Sequence, residues 1–289
     1  MNGWIILDKA SGLFSRSASS RVARLFGEKK SGHIGTLDPM ATGVLPIAIG
    51  SATKMIPFIE DLSDGNKEYL FSVQFGFETD TLDITGKIIE QGGDSPSEQD
   101  IVRVLPDFIG NIFQTPPQYS SVHVNGIRAY DIVRGGKSAN IPPRQITIHK
   151  LEFLGIKDKS YNFRVCCTRG TYVRSLGRDI ARKLGTFGTV DMIKRVKTNG
   201  FDIKNAVKLD FLENLVNNTG ALEKYLMPID FGLGDIPVLN LDNKDAVLYK
   251  NGGFIKTASR DGRYRIYNNG VFIGIGDVSD QTLRPVRTI

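Results

Sequence analysis

One glycine-rich segment carries the residue best suited by type and setting to do chemistry: Gly32-His33-Ile34-Gly35-Thr36-Leu37-Asp38-Pro39-Met40-Ala41-Thr42-Gly43. Asp38 precedes a proline, whose ring pushes it out of the helical region and restricts its backbone. Gly32, Gly35 and Gly43 carry no Cβ, so the chain can approach a ligand closely. A carboxylate positioned in this way can serve as nucleophile or base. The same features describe a structural aspartate in a proline turn, and on local chemistry alone that plainer reading has the greater weight. Other chemistries fail on inspection. Gly27–His33 has the spacing of a phosphate-binding loop, but His33 stands where lysine is required and no Ser or Thr follows. Gly270–Gly276 lacks dinucleotide-binding glycine spacing. The histidines His33, His123 and His149 and the cysteines Cys166 and Cys167 show no metal-ligand spacing, so no metal is expected. The two cysteines are adjacent, and neighbours on a strand point to opposite faces, which suits neither a disulfide nor a shared ion.

The elements that must position Asp38 can be read from periodicity. Trp4–Leu7 is a continuous apolar run and predicts a buried strand. Ser17–Phe26 places Val22, Leu25 and Phe26 on one side and predicts a short amphipathic helix. Gly32–Gly43 is expected to be a loop, and Val44–Ile49 a core strand. Lys67–Phe75 alternates, with Tyr69, Phe71, Val73 and Phe75 on one face of a strand. Gly76–Gly86 is expected to be a polar loop. Ser97 is a candidate N-cap for a helix over Ser97–Leu105. Two Pro-Pro pairs bracket Thr115–Arg144, a stretch rich in aromatic and basic residues that is expected to be a functional insertion. Ile146–Ile156 and Tyr161–Cys167 have strand composition, and Thr171–Leu184 is an amphipathic helix stopped by Gly185. Composition shifts again near Tyr225–Gly234. Beyond it Arg263–Tyr267 and Val271–Ile275 are separated by Asn-Gly and Asp-Gly turns, the mark of a small β-rich domain.

The chain has 289 residues, enough for one large domain or two smaller ones with a sizeable core. Lys+Arg 37 against Asp+Glu 31 gives a formal charge of +6. A polyanionic partner fits that excess, because each neutralised phosphate releases condensed counterions, although many basic proteins bind no nucleic acid. The apolar run at Trp4–Leu7 is too short for a signal peptide or a spanning helix, and the sparse cysteines fit a reducing compartment. A cytoplasmic protein with no membrane association is the expectation.

The segment GHIGTLDPMATG resembles the catalytic loop of the bacterial TruB family, the tRNA pseudouridine-55 synthases. Further segments similar to that family follow in order: ILDKASG, KEYLFSVQFGFETDTLDITG, PPQYSSVHVNGIRAYDIVRGG, TRGTYVRSLGRDIARKLG and GIGDVSDQTLRPVRTI. The resemblance implies an α+β fold. A catalytic domain over residues 1–227 would have a central mixed or antiparallel sheet flanked by helices. Its RNA-binding insertion would lie near 115–144, and a PUA-like β-rich domain over 228–289 would grip another part of the tRNA. It implies isomerisation of a flipped-out uridine in the T-loop of tRNA, with no cofactor and no metal; a monomer is the expectation for a two-domain RNA enzyme of this size. Asp38 would be the catalytic aspartate, Tyr69 would lie against the target base and relay a proton, and Arg174 would pair with Asp38 and hold it ionised. His33 would contact the RNA, as would Lys9 and Arg16 through phosphates. Tyr119, Arg128 and Tyr130 in the insertion would hold the RNA loop. Asp80 and Asp83 are read as loop-ordering residues rather than as a metal or glycosidase pair, because their segment is similar to the family's non-metal loop.

The chain departs from the family pattern at several positions. Ala10 stands where proline is usual, Ser121 where alanine is frequent and His123 where lysine is frequent, and LFSRSASS is altered. These departures bear on RNA contacts rather than on chemistry. The implied mechanism leaves three roles open for Asp38: attack on the sugar, attack on the uracil ring, or removal of a sugar proton. Two rival classes are a non-catalytic RNA-binding protein, which would not need Asp38, Tyr69 and Arg174 together, and an aspartate-nucleophile hydrolase, which would need a second carboxylate or a metal.

Overall fold

The structure is a computed structural model that describes residues 1–62, 66–215 and 219–289. The chain opens with β1 (Gly3–Lys9) and α1 (Ser15–Leu25), followed by β2 (Ser31–His33), β3 (Thr42–Ile49) and α2 (Ile56–Leu62). Next come β4 (Lys67–Phe75), the short pair β5 (Phe77–Thr79) and β6 (Ile88–Gln91), α3 (Glu98–Val104) and β7 (Gly110–Gln114). The bracketed insertion holds β8 (His123–Val124), β9 (Ile127–Arg128) and α4 (Ala129–Arg134). After it run β10 (Arg144–Lys157), β11 (Ser160–Cys167), α5 (Val173–Lys183), β12 (Gly188–Thr198), β13 (Phe201–Asp202) and β14 (Val207–Lys208). Two short helices follow, α6 (Leu209–Asn214) and α7 (Thr219–Glu223). The chain closes with β15 (Val238–Leu241), α8 (Asn243–Lys250), β16 (Ile255–Lys256), β17 (Gly262–Asn268), β18 (Val271–Ser279) and β19 (Thr282–Thr288).

Among the described residues, ten strands form one mixed sheet along the path β14-β1-β3-β12-β4-β11-β10-β7, with β2 on β3 and β13 on β12. The β1–β14 and β12–β3 pairings are parallel and the others antiparallel. A second sheet of five strands, β15-β17-β18-β19-β16, is built from the C-terminal residues. The fold is therefore α+β, a large mixed sheet flanked by helices together with a β-rich C-terminal part.

The apolar pattern of each strand decides how many of its faces are covered. In β1 every residue from Trp4 to Leu7 is buried, and alternation sends Ile5 and Leu7 into one core and Trp4 and Ile6 into another. β3 divides in the same way, with Leu45, Ile47 and Ile49 on one side and Val44 and Ala48 on the other. The first core lies under α1, α3 and α5, through Ala18, Val22, Ile101, Leu176 and Ile180. The second lies between the sheet, α2 and the C-terminal residues Ile236 and Ile275. β4 reads differently because it alternates. Tyr69, Phe71 and Val73 enter the first core, whereas Ser72 and Gln74 donate to the Asp191 carboxylate on the opposite face.

Several boundaries shift from expectation. Gly32 and His33 belong to β2, and Thr42 and Gly43 to β3, so the true loop is residues 34–41. Glycines without side chains to pack weakened that signal, and pairing of β2 onto β3 overrides it. The segment 76–86 is likewise not all loop, because Phe77–Thr79 pairs with Ile88–Gln91. Ser97 caps α3 as expected: its hydroxyl accepts from the Asp100 amide while the Asp100 carboxylate accepts from the Ser97 amide. The insertion has a small apolar cluster of its own, formed by Val122, Ala129, Ala139 and Ile141.

Candidate active site

The loop carrying Asp38 leaves β2 and enters β3, and it is fastened from below at several points. Ser15, at the start of α1, both donates to the Leu37 carbonyl (2.9 Å) and accepts from the Leu37 amide (3.0 Å). The Gly12 amide donates to the Pro39 carbonyl at 2.8 Å, and the Asp38 carbonyl accepts from the Ala41 amide at 3.1 Å. Gly35 and Gly43 both have positive φ, at 64° and 98°. At Gly43 the requirement is also one of approach, since a Cβ there would stand 2.2 Å from the Arg195 carbonyl. A loop held at this many points presents its carboxylate in one geometry.

Arg174 completes that geometry from 136 residues away. It lies in the first turn of α5, whose start is tied down by Gln114: its side chain accepts from the Tyr172 amide (2.8 Å) and donates to the Tyr172 carbonyl (3.2 Å). The Arg174 Nη2 donates to Asp38 Oδ1 at 3.0 Å, and Nε lies 2.8 Å from Oδ2 without hydrogen-bond geometry, so the ion pair is close at two points and hydrogen-bonded at one. The same guanidinium donates to the carbonyls of Thr81 (2.8 Å) and Tyr119 (3.1 Å) and lies 3.7 Å from Asp83. Asp83 is itself held by the Thr81 and Thr85 hydroxyls, in keeping with a loop-ordering part. The Arg174 side chain is 4% exposed and that of Asp38 36%. The pair therefore buries its cation and opens its carboxylate to the outside.

Tyr69 sits on β4 in the same core face, buried, with Arg195 of β12 directly opposite across the antiparallel pairing. Burial raises the phenol to about 12, Arg195 pulling the other way, so the hydroxyl keeps its proton at neutral pH. Lys67, two residues earlier, is lowered to about 8, by burial first and then by Arg195.

The residues expected to face RNA divide. Lys9 is a correction: its side chain is buried and its ammonium donates to the carbonyls of Ala10 (3.0 Å), Leu13 (2.8 Å) and Pro39 (3.1 Å). With its three protons so used, it supports the Asp38 loop and does not reach a phosphate. Burial lowers its pKa to about 8, opposed by the attraction of Asp38. His33 is half-buried, with Nδ1 3.1 Å from the Ser19 hydroxyl and Nε2 3.3 Å from that of Thr36. Burial and then Arg195 push its pKa down, so the ring is neutral at pH 7. Arg16 is exposed on α1. Tyr119 is brought to Asp38 through its backbone, by its bond to Arg174. Arg128 and Tyr130 lie in the insertion, where the Arg128 and Arg134 guanidinium carbons stand 5.8 Å and 5.4 Å from the Tyr130 ring centre.

Arg195, Ser15 and Gln114 escaped the reading of the sequence. A signal for Arg195 was present: period-2 alternation from buried Ile193 places it on the inward face, an unusual position for a charge. Ser15 and Gln114 gave none, since a lone polar residue at an element's end has no pattern.

Comparison with known proteins follows the same outline. Residues 23–173 match the model for the TruB family pseudouridylate synthase N-terminal domain. Residues 174–233 match the tRNA pseudouridylate synthase B C-terminal domain, and 237–289 the C-terminal model of pseudouridine synthase II TruB. The tRNA pseudouridine synthase B of Ehrlichia chaffeensis is 40% identical over 299 residues, covering 99% of each chain. That of Nitrobacter winogradskyi is 40% identical over 266 residues, covering 90% of this chain and 74% of the relative. In fold, a chain of the archaeal box H/ACA sRNP Nop10-Cbf5 complex superposes with a TM-score of 0.72 at 21% identity, over 99% of this chain and 85% of its own. With family models laid end to end along the large sheet, the Arg174 helix and the C-terminal sheet, the chain belongs to the TruB family of pseudouridylate synthases.

Proposed function

We infer that this protein isomerises uridine-55 in the T-loop of tRNA to pseudouridine, with Asp38 as its catalytic carboxylate. The observation that carries the residue assignment is the Asp38–Arg174 pair: two segments far apart in sequence meet in an ion pair whose anion alone faces outward. A carboxylate at a protein's surface needs no buried arginine to be stable. One aimed by a buried cation and left open on one side is suited to reaction with a bound group.

The reaction breaks the bond between the sugar C1′ and N1 of uracil, turns the base, and joins C1′ to C5. The C5 proton leaves and N1 gains one, so nothing is oxidised or reduced and no co-reactant is consumed. The uridine must first leave its stack, at a cost of a few kcal/mol. Asp38 acts on the exposed nucleoside, Arg174 holds the carboxylate oriented, and Tyr69 lines the base with a hydroxyl that remains a proton donor. Arg16, Tyr119 and the Arg128–Tyr130–Arg134 stack serve the RNA loop through phosphate and stacking contacts. His33, already engaged by Ser19 and Thr36, shapes the loop edge that the RNA meets. We divide the chain into a catalytic part over 1–227 and an RNA-gripping C-terminal part over 228–289, acting as a monomer in the cytoplasm.

The test is release of tritium from a T-arm stem-loop carrying C5-tritiated uridine. Asp38→Asn keeps the shape of the side chain and removes its charge. Release should fall on the order of 10⁴-fold or more, while stem-loop affinity changes little. Turnover retained in that variant would refute the assignment.

A further inference from the structure

Beneath the Asp38 loop lies a second buried guanidinium. Arg195 is fully buried, and no ion pair among the described residues includes it. A buried charge without a counter-charge is destabilising, and an apolar side chain would fill the same space without that penalty. What the guanidinium does is visible in its contacts. Nε donates to the Val44 carbonyl at 2.8 Å, and Nη2 to the carbonyls of Gly35 at 2.7 Å and Ile34 at 3.4 Å. The planar group is thus locked to both ends of the segment that carries Asp38. Its remaining nitrogen, Nη1, is buried with no hydrogen-bond partner. Nη1 lies under Gly35, 2.8 Å from where a Cβ on that residue would stand, so only glycine leaves it room. Arg195 and Tyr69 are directly opposed in the β12–β4 register, so both side chains leave the sheet on the same face. The phenol and the guanidinium each perturb the other's ionisation, by charge and by hydrogen bonding, so the two groups already lie within each other's reach.

We propose that Arg195 is the positioning residue of Tyr69: its guanidinium donates through Nη1 to the phenolic oxygen, which turns the Tyr69 hydroxyl proton toward the Asp38 side of the pocket. A phenol has a single proton, and an oxygen already accepting from one side must direct that proton elsewhere. One rigid group then fixes the spacing between the strand of Tyr69 and the loop of Asp38. Lysine cannot reproduce this, because a single ammonium on a flexible stem does not span Val44, Gly35 and Tyr69 in one plane. The inference rests on the part proposed above for Tyr69 at the target base.

The experiment is a double-variant cycle with the tritium-release assay on the full-length protein. Arg195→Lys should lower kcat roughly 10- to 100-fold with KM for the stem-loop little changed. In a Tyr69→Phe background the same substitution should lower kcat by no more than about twofold, the scatter of independent sites. Equal losses in the two backgrounds would mean that Arg195 acts without the Tyr69 hydroxyl, and the proposal would fall. A second measurement needs no change at Arg195. With ¹⁵N-labelled arginine and bound stem-loop, the Arg195 guanidinium signals should shift and exchange faster with solvent in Tyr69→Phe than in wild type; identical spectra would overturn the contact. Full activity of Tyr69→Phe alone would instead refute the part given to Tyr69 and leave the spectra to decide the contact.

Discussion

A carboxylate that is to react cannot be neutralised from every side, and the exposures of Asp38 and Arg174 solve that problem by asymmetry. The arginine is surrounded by the carbonyls of Thr81 and Tyr119 as well as by Asp38, so its plane is fixed before any RNA arrives. Arg174→Lys retains the charge but loses the fork, and kcat should drop on the order of 100-fold with stem-loop affinity nearly unchanged; a loss confined to affinity would contradict the geometry. Lys9 supplies a pH test. Its ammonium, lowered to about 8, donates to three carbonyls, and the neutral amine has only two protons to offer. The Asp38 loop should therefore loosen as pH rises through about 8, with kcat declining around that midpoint. Lys9→Arg should move the midpoint upward, and an unmoved profile would clear Lys9 of the effect. Stability has the opposite sign. The folded pKa is depressed, so between about 8 and the ordinary 10.5 the unfolded chain binds more protons, and this group's contribution to stability rises with pH across that window.

At the scale of elements, the loop is a product of what surrounds it. α1 contributes Ser15, β12 contributes Arg195, the last residue of β1 contributes the Lys9 ammonium, and the segment after it contributes the Gly12 amide. Ser15→Ala would leave the buried Leu37 amide and carbonyl without their partner, which should destabilise the protein by about 1–3 kcal/mol in urea unfolding. It should also lower kcat more than it raises KM, because the group released is the residue before Asp38. A change in KM alone would show that Ser15 serves RNA binding. α5 shows the same division of labour: its amphipathic pattern was plain, but the fastening of its first turn to Gln114 depends on a strand about 60 residues earlier, with bonds to Tyr172 that span 58 residues. Periodicity reports which face of a helix is buried, not what meets its end.

Across the whole molecule, Trp4 joins the two sheets. Its ring packs against Phe201 at 5.3 Å, its indole donates to the Ile229 carbonyl at 2.8 Å, and it shares a core with Ile236 and Ile275. Trp4→Ala should cost about 3–5 kcal/mol and raise amide exchange in β18 before β4; equal rises in both would place the damage elsewhere. The excess of basic residues acts at this scale too. Affinity for intact tRNA should fall by at least about 100-fold between about 50 and about 200 mM salt, and a flat response would count against phosphate contacts as the source of binding.

The amino-acid sequence by itself determined the kind of each main element and the segments that matter. The continuous apolar run at Trp4–Leu7, the alternation at Tyr69–Val73 and the capping pair Ser97–Asp100 are local patterns, and local patterns follow from backbone geometry that every chain shares. Its motifs also singled out Asp38, Tyr69 and Arg174. Tertiary structure alone decided the rest, because burial and partnership are properties of distant segments. It turned Lys9 from a phosphate contact into a support of the Asp38 loop, converted the ends of Gly32–Gly43 into strand, and revealed Arg195 beneath Gly35. It also brought Arg174 across 136 residues onto Asp38, a pairing that the family resemblance implied and that no local pattern could place. A carboxylate before a proline is ambiguous until a buried cation meets it, and no spacing in the sequence records that meeting.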